Sequence, residues 1–369
     1  MHRVQWQEDE QFMKECLDLA RKGMGRVSPN PLVGAILVKG GKVIGRGYHR
    51  KFGTPHAEVN AIQSARSPVP GSTLYVNLEP CNIHGKTPPC TNLIISSMIS
   101  RVVIGMKDPN PLVSGRGIRQ LQRAGIRTTL DVLKEDCSRL NEVFSKYITT
   151  GLPFVTVKVA QTLDGKIADE HGHSKWISGP GSRRLVHTLR AQHDAVLVGA
   201  GTVRRDNPRL TARGVNGRDP TRVILDGRFS SGMRANVFRR TKKGRTILFI
   251  SRQFDRLRAS RREALARRGV TVIALNGTKD GALRLHEVLR ELGSFGIASV
   301  LVEGGAKTFS EFLNEQAVDK LLLFISPRIF GRGLDSFPDL KRISTLLPSN
   351  LQIGRIDGDI MITANLHKM

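Results

Sequence analysis

The spacing of apolar residues divides the first part of the chain into short helices and strands. Apolar positions between residues 9 and 24 recur at the helical period and stop at Gly23, which predicts a first helix. Two apolar runs that flank a Lys-Gly-Gly-Lys turn predict a β-hairpin over residues 33–48. The pattern then predicts a helix at 56–65, a strand at 73–78, a helix at 90–97 and a strand at 101–105.

A second series of elements begins after the sequence Gly151-Leu152-Pro153, where an apolar run predicts a buried strand at 154–160. We therefore place a domain boundary near residue 148, which gives domains 1–148 and 149–369. Further strands are predicted at 195–198, 222–225, 246–250, 270–274, 299–302 and 320–325, and helices at 182–191, 258–268, 283–292 and 308–314. This alternation predicts an α/β domain with a largely parallel sheet.

Two segments of the first domain contain residues that bind zinc in proteins. His56 lies at the start of a predicted helix, and Cys81 follows a predicted strand 25 residues later. Cys90 begins the next predicted helix. The three residues predict a zinc site with three protein ligands and one position left open for water.

Glu58 is predicted to carry protons in this site. As a fourth ligand it would close the position that a catalytic zinc keeps for water, so we predict that it moves a proton from the water to a leaving amine. Zinc deaminases use a His, two Cys and a Glu two residues after the His in this way. The alternative is a closed structural site, for which His84 is the nearby candidate for a fourth ligand.

Glycines in the second domain indicate a phosphate-binding turn. A Glu-Gly-Gly sequence at 303–305 follows a predicted strand and opens a predicted helix, where backbone N–H groups can bind a phosphate. The segment 198–204 resembles the start of a dinucleotide-binding loop but ends in Arg204 instead of glycine, and Pro208 cuts its helix short. We therefore do not predict a Rossmann fold.

The chain is strongly basic, with a formal net charge of +26. Residues 204–268 contain 20 Lys or Arg against five acidic residues, so more than half of the excess lies there. A basic segment of this kind raises the hypothesis of nucleic-acid binding. The segment has few aromatic residues for base stacking, and we interpret it as a solvated basic face that partly attracts phosphorylated ligands.

The composition also indicates in which cellular compartment the protein is found. No apolar run reaches the roughly 18 to 20 residues that cross a bilayer, and the polar N-terminal sequence lacks the apolar core of a signal peptide. We therefore expect a cytoplasmic protein without membrane partners. Cys16 and Cys137 are expected to be ordinary reduced thiols.

The motifs of the first domain resemble the bifunctional riboflavin-biosynthesis deaminase/reductase family. The resemblance lies in the segments 25–34, 47–49, 55–59, 78–81 and 85–90. Eight residues separate Cys81 from Cys90, whereas nucleobase and tRNA deaminases usually have two between their Cys ligands. The resemblance implies a cytidine-deaminase-like, three-layer α/β/α domain with one Zn²⁺ per chain, which removes the 2-amino group of diaminohydroxyphosphoribosylaminopyrimidine.

The same resemblance implies substrate-binding residues in this domain. Asn30, His49 and Lys86 match positions that hold the base, ribose or phosphate. The alternatives are that Asn30 only forms a Pro-Asn-Pro turn and that Lys86 is a solvated charge in a loop. The family typically reads Cys-Ser-His where this chain has Cys81-Asn82-Ile83, so an apolar side chain stands where a substrate-contacting His is expected.

The second domain resembles the reductase half of the same family over the segments 158–168, 174–178, 189–191, 199–210 and 303–305. This implies a dihydrofolate-reductase-like α/β domain in which NADPH delivers hydride to the ribose C1′. The resemblance places at NADPH the residues Ala160, Trp176, Thr202, Asp206, Gly227, Gly304, Gly305, Ala306, Lys307, Thr308 and Phe309. It places at the phosphorylated substrate Ser174, Arg190, Leu210, Arg213 and Glu303, with Lys158 near the reacting ribose.

Ordinary structural roles remain open for some of these residues. Arg190 and Arg213 suit bidentate phosphate binding but could be surface arginines in so basic a chain. Asp206 could be a turn cap, and Trp176 could belong to the core.

The favoured hypothesis is a two-step enzyme that acts on a phosphorylated pyrimidine in riboflavin biosynthesis, and we expect it to form a homo-oligomer. One alternative is a reductase with an impaired deaminase domain, which Ile83 motivates. The other is an RNA-binding or RNA-editing deaminase, which the net charge motivates. The long loop between the Cys residues and the second domain argue against the latter, so nucleic acid is not the expected partner.

Overall fold

In the first half of the chain, five short strands form one mixed sheet in the order β2-β1-β3-β4-β5, with helices packed against it. The strands are β1 Gly34–Lys39, β2 Lys42–Tyr48, β3 Thr73–Val76, β4 Arg101–Ile104 and β5 Arg127–Thr129. The helices are α1 His2–Arg21, α2 Ala57–Gln63, α3 Cys90–Ser96, α4 Arg116–Arg123, α5 Lys134–Leu140 and α6 Glu142–Thr150. This computed structural model describes residues 2–84, 88–175, 177–240, 244–256, 258–341 and 348–366.

The chain divides into two units, Met1–Gly151 and Leu152–Met369. The helix α6 ends at Gly151, which adopts a φ of 71°. Glycine is the residue that most readily takes this left-handed conformation at a helix end, and the following Leu-Pro leads into the second unit.

The second unit contains a nine-stranded sheet in the order β11-β10-β9-β8-β12-β6-β13-β16-β15. Its strands are β6 Phe154–Thr162, β8 Ala195–Gly199, β9 Thr221–Leu225, β10 Thr246–Ser251, β11 Val270–Leu275, β12 Ser299–Gly304, β13 Lys320–Ser326, β15 Ser349–Ile356 and β16 Asp359–Asn365, while β7 Lys166–Asp169 and β14 Gly333–Asp335 pair separately. The helices are α7 Pro180–Gln192, α8 Ala200–Asp206, α9 Arg252–Arg256, α10 Ala259–Ala266, α11 Leu285–Ser294 and α12 Ala306–Asn314. All neighbouring pairs from β11 to β13 are parallel, and β16 and β15 add an antiparallel edge.

Alternating apolar residues of the central strands explain why helices cover both faces of this sheet. In β8, Ala195 and Leu197 belong to one buried cluster, and Val196 and Val198 belong to another. Successive side chains of a strand point to opposite faces, so each face has its own core. The predicted α/β architecture, with a largely parallel sheet in the second domain, is confirmed.

Close contact between β2 and α2 fixes the helix that begins at the predicted metal site. A Cβ atom on Gly47 would lie 2.3 Å from both the carbonyl oxygen of Ala57 and the backbone nitrogen of Ala61. Only glycine permits this approach. The helix α2 therefore rests directly on the strand backbone, which limits its movement.

Candidate active sites

Three potential metal ligands converge at the starts of two helices in the first unit. His56 is the residue just before α2, Cys81 lies in the loop after β3, and Cys90 is the first residue of α3. His56 Nδ1 lies 3.6 Å from Cys81 Sγ and 3.3 Å from Cys90 Sγ. Ligand atoms of the three residues all lie within 4.8 Å of one another. One imidazole and two thiols at this separation suit a tetrahedral zinc ion with its fourth position open.

The two thiols shift each other's pKa in opposite directions. Their mutual hydrogen bond lowers the pKa of Cys81 and, together with burial, raises the pKa of Cys90. Both thiols lose their protons on binding a metal, since the thiolate is the coordinating form.

Glu58 lies beside this cluster in the first turn of α2 and is only 4% exposed. Burial raises the pKa of its carboxyl group, and the thiol of Cys90 is a hydrogen-bond partner. A carboxyl group whose pKa is raised toward neutrality can both accept and release a proton under ordinary conditions.

A buried carboxylate at Glu79 fixes the loop that contains Cys81. Its oxygens accept hydrogen bonds from the backbone nitrogens of Asp108 at 3.2 Å, Gly115 at 2.9 Å and Ile118 at 3.2 Å. The carboxylate thus satisfies the free N–H groups of Gly115 and Ile118 at the start of α4 and also holds the loop at Asp108. This anchors the residue two positions before Cys81 and so orients the loop.

Asn30 and His49 form a hydrogen-bonded pair next to the metal cluster. Asn30 Nδ2 lies 3.3 Å from His49 Nε2, and His49 Nδ1 lies 3.2 Å from the carbonyl oxygen of Pro55. The rings of His49 and His56 meet edge to face, with centroids 5.4 Å apart. When Nε2 of His49 accepts a hydrogen bond from the Asn30 amide, the ring proton of His49 lies on Nδ1. Nδ1 can then donate to the carbonyl oxygen of Pro55.

In the second unit, a cavity of about 560 Å³ opens where α8 and α12 begin. Gly199 and Gly305 precede these helices, and neither provides a side-chain cap for the free N–H groups. Among the residues that line the cavity are Ser174, Thr202, Asp206, Gly227, Gly305, Ala306, Lys307 and Thr308. Uncapped helix starts bind phosphate groups, and the volume suits a cofactor.

The starts of α8 and α12 interlock through glycine and threonine. A Cβ atom on Gly199 would lie 2.6 Å from the hydroxyl of Thr308, and one on Gly304 would lie 2.8 Å from the hydroxyl of Thr202. Each helix start therefore packs against the strand end that leads into the other.

Beneath the helix α7, three charged residues form a buried cluster. Arg190 holds the carboxylate of Glu303 through two hydrogen bonds of 2.6 and 2.7 Å, and Lys158 Nζ lies 3.8 Å from the same carboxylate. Burial alone would raise the pKa of Glu303, but the charge and hydrogen bonds of Arg190 lower it to about 2. Burial lowers the pKa of Lys158, and Glu303 opposes this effect. Lys158 is thus a cation that releases its proton more readily than an exposed lysine.

Arg213 is linked to this cluster through His187. The backbone nitrogen of Arg213 donates to His187 Nδ1 at 3.2 Å, and both His187 and Arg190 contact the carbonyl oxygen of Thr211. Leu210 is buried in the core with a φ of 53°. The hydroxyl of Ser174 lies 3.3 Å from Asp206.

Comparison with known proteins identifies the family. Residues 6–106 match the cytidine and deoxycytidylate deaminase zinc-binding region, and residues 153–360 match the RibD C-terminal domain. The chain is 44% identical to the riboflavin biosynthesis protein RibD of Aquifex aeolicus over 327 residues, covering 88% of this chain and 89% of that protein. It is 41% identical to RibD of Bacillus amyloliquefaciens over 364 residues, covering 96% of each. The chain belongs to the RibD family.

Solved structures of RibD proteins have the same fold. The crystal structure of a diaminohydroxyphosphoribosylaminopyrimidine deaminase/5-amino-6-(5-phosphoribosylamino)uracil reductase from Thermotoga maritima matches with a TM-score of 0.86 and 44% identity, covering 98% of this chain and all of that chain. RibD of Acinetobacter baumannii matches with a TM-score of 0.87 and 33% identity over the same shares. The predicted cytidine-deaminase-like domain and the reductase domain that follows it are confirmed.

Membership in the RibD family makes this chain a bifunctional deaminase and reductase of riboflavin biosynthesis. Its cofactors are Zn²⁺ and NADPH. Neither a reductase with an impaired deaminase nor an RNA-editing deaminase is favoured. Within the described residues, no helix is long and apolar enough to cross a membrane.

The structure brings most of the predicted site residues together, with some exceptions. Ala160, Gly304 and Phe309 are not among the described residues that line the cofactor cavity, and the Phe309 side chain is 3% exposed in the core. Lys86 and Trp176 lie outside the described residues. The roles of all these residues stay predictions.

Several residues of the two sites were not predicted from the sequence. Glu79 lies inside the segment 78–81, but its contacts with Asp108 and Ile118 join residues 29 and 39 positions apart. Arg204, Arg205 and Arg228 line the cofactor cavity. The excess of basic residues over 204–268 was the sequence feature that could have indicated them. Asn82 has a buried amide oxygen without a hydrogen-bond partner among the described residues, which makes it a further candidate for a substrate contact.

Proposed function

We propose that the first unit deaminates 2,5-diamino-6-(5-phosphoribosylamino)pyrimidin-4-one. The second unit then reduces the ribosyl group with NADPH, which gives 5-amino-6-(5-phosphoribitylamino)uracil. The observation that carries this proposal is the convergence of His56, Cys81 and Cys90 beside the buried Glu58. The Thermotoga maritima protein, described by these two activities, supports the choice of substrate.

In deamination, His56, Cys81 and Cys90 would hold the Zn²⁺ ion and Glu58 would move the proton. Bound Zn²⁺ lowers the pKa of a water molecule so that it attacks at neutral pH. Glu58 takes a proton from the attacking water and delivers it to the amine as the C2–N bond breaks and ammonia leaves. The raised pKa of Glu58 suits both halves of this transfer.

Around the pyrimidine, Asn30 and His49 would provide polar contacts. Their hydrogen bond to each other and the bond from His49 to Pro55 hold both side chains in place before substrate arrives. A pre-organised pair loses little entropy when the substrate binds.

In reduction, Lys158 would act as the proton donor. NADPH supplies the hydride that forms the new C1′–H bond. Lys158 donates a proton to the ring oxygen as the bond between that oxygen and C1′ breaks, which opens the sugar into a ribityl chain. Glu303 holds Lys158 in position through an ion pair, and Arg190 in turn holds Glu303.

The 2′-phosphate of NADPH would be bound by the arginines that line the cavity. Arg228 Nε donates to the carbonyl oxygen of Asp280 at 2.7 Å, a bond that does not use the N–H groups of its two terminal nitrogens. Arg204 and Arg205 end the helix α8 on the same cavity. An arginine accommodates the 2′-phosphate where NADP is preferred over NAD.

Replacing Arg228 by Met should reduce the preference for NADPH. We expect the KM for NADPH to rise about tenfold, while the KM for NADH is unchanged, because only NADPH has the phosphate that loses a charge-assisted contact. Steady-state rates with each cofactor measure the effect. Arg290→Met, at an exposed position on α11, is the matched control. An equal loss with both cofactors would contradict the proposed 2′-phosphate contact.

The direct test of the overall proposal measures both half-reactions and the zinc content on one sample. We expect about one zinc per chain, release of ammonia from the diaminopyrimidine phosphate, and oxidation of NADPH with the deaminated product. Zinc without ammonia release would leave only the reductase and defeat the two-step proposal.

We also propose a cytoplasmic location, since none of the four cysteines, two of which would bind the zinc, forms a disulfide, and a reducing compartment keeps cysteines in this state. Formation of a homo-oligomer stays a prediction.

A further inference from the structure

A second cavity in the reductase unit has arginine as its main lining residue. It measures about 230 Å³ and lies against the first residues of β9, β10 and β11, whereas the cofactor cavity lies at the opposite end of β9. Its lining consists of Arg222, Phe238, Arg239, Arg240, Gly244, Thr246, Arg268, Gly269 and Val270. Four of these nine residues are arginines, and no Asp or Glu belongs to the lining as far as the structure describes it.

Arg222 lies at the floor of this second cavity and is only 3% exposed. Its buried Nε has no hydrogen-bond partner among the described residues. Burial lowers the pKa of Arg222, with the charge of Asp219 opposing this effect, but no ion pair between the two side chains forms in the described part of the chain.

A buried guanidinium whose Nε lacks a hydrogen-bond partner is costly because burial removes the water that stabilises its charge. Buried charges in proteins are normally paired. The arrangement around Arg222 becomes favourable if an anion enters the cavity and accepts hydrogen bonds from the guanidinium. The buried arginine therefore points to a ligand rather than to a structural role.

The rim of this second cavity also suits an anion. Arg239, Arg240 and Arg268 are exposed there, and Arg268 is held by a hydrogen bond of 2.6 Å from Nη1 to the carbonyl oxygen of Met233. Three cations around a fourth that is buried concentrate positive potential in a small space. The volume is below the roughly 300 Å³ at which pockets for drug-sized ligands begin, so a whole nucleotide is too large.

We propose that this cavity is an anion site for a phosphate group, either inorganic phosphate or the phosphate of a small monoester. Arg222 binds the phosphate oxygens at the floor, and the three rim arginines neutralise its remaining charge. The site is separate from the cofactor cavity, and the proposal does not depend on the reactions assigned above. A single strand of nucleic acid would contact the rim but gain little from Arg222, because its phosphodiester is flanked on both sides by sugars.

Hydrogen–deuterium exchange of the full-length protein tests this proposal locally. Inorganic phosphate, titrated at constant ionic strength with chloride, should slow exchange in peptides that contain the starts of β9, β10 and β11. In Arg222→Met the phosphate concentration needed for half of this protection should rise about tenfold or more, as expected for loss of a charge-assisted contact. The variant Arg290→Met, with the same change of charge at an exposed position, should behave as the parent protein.

Peptides at the cofactor cavity serve as an internal reference, because phosphate bound there would protect them equally in parent protein and variant. A parallel titration with ribose 5-phosphate separates the two sources: stronger protection than by phosphate indicates a monoester, and equal protection indicates the free anion. If Arg222→Met does not fold, Arg239→Gln at the exposed rim takes its place, with severalfold weaker protection expected. The proposal is wrong if phosphate gives no saturable protection, if the variants respond like the parent protein, or if a single-stranded oligonucleotide alone protects these peptides.

Discussion

Replacing Glu58 by Gln should lower the rate of deamination about a thousandfold, within the roughly 10²–10⁴ that a positioned acid–base group contributes. The amide keeps the size of the side chain but can neither take a proton from the attacking water nor deliver one to the amine. Zinc content should not change, since His56, Cys81 and Cys90 are untouched. Ammonia release, measured with zinc analysis on the same sample, gives the result.

The reductase activity of Glu58→Gln provides the first control, because the second unit contains none of the altered residues. Glu135→Gln, at an exposed position in α5, is the matched control for the loss of a carboxylate in the same unit. Deamination that stays within a fewfold of the parent rate would exclude Glu58 as the proton carrier. Loss of zinc from the Glu58→Gln variant would show instead that Glu58 helps to bind the metal.

Replacing Lys158 by Met should lower the kcat of the reductase at least about a hundredfold, since the general acid for ring opening is lost. The fold should persist, because Arg190 still holds Glu303 through two hydrogen bonds. Deamination should be unaffected. Oxidation of NADPH with the deaminated substrate measures the effect, and Lys341→Met, at an exposed position, is the matched control.

A pH profile distinguishes a proton donor from a residue that only binds substrate. The pKa of Lys158 is lowered by burial, and the donor is the protonated form, so the parent rate should fall as pH rises through this pKa. This alkaline limb should be missing in Lys158→Met. A variant with unchanged kcat and a raised KM would show that Lys158 binds the substrate phosphate or ribose without donating a proton.

The metal cluster was predictable from sequence because each ligand lies at the start of a helix or in the loop after a strand. The positions of His56 and Cys90 follow from the helices that begin there, and the strand before Cys81 brings it to the same edge. The boundaries of α2 and α3 were predicted to within two residues. Local periodicity suffices when a site is built from helix ends.

Contacts between distant residues could not be predicted in the same way. Lys158 and Glu303 meet because β6 and β12 are neighbours in the sheet, although 145 residues separate them. The short helices α4 and α5, the strand β16 and the edge strand β15 were also missed. The edge strand β15 is largely exposed, so no run of apolar residues marks it. The unpaired state of Arg222 likewise depends on the folded neighbourhood and not on the residues beside it in sequence.

The interlocked helix starts restrict how the cofactor preference of this enzyme can be redesigned. An alanine at Gly199 or Gly304 would displace the hydroxyl of Thr308 or Thr202 and move the N–H groups beside it. Neither glycine can therefore take a side chain without moving these groups. A designer who wants an NADH-dependent enzyme would therefore leave these two glycines and work on the arginine side, where long and exposed side chains can be exchanged without shifting the backbone.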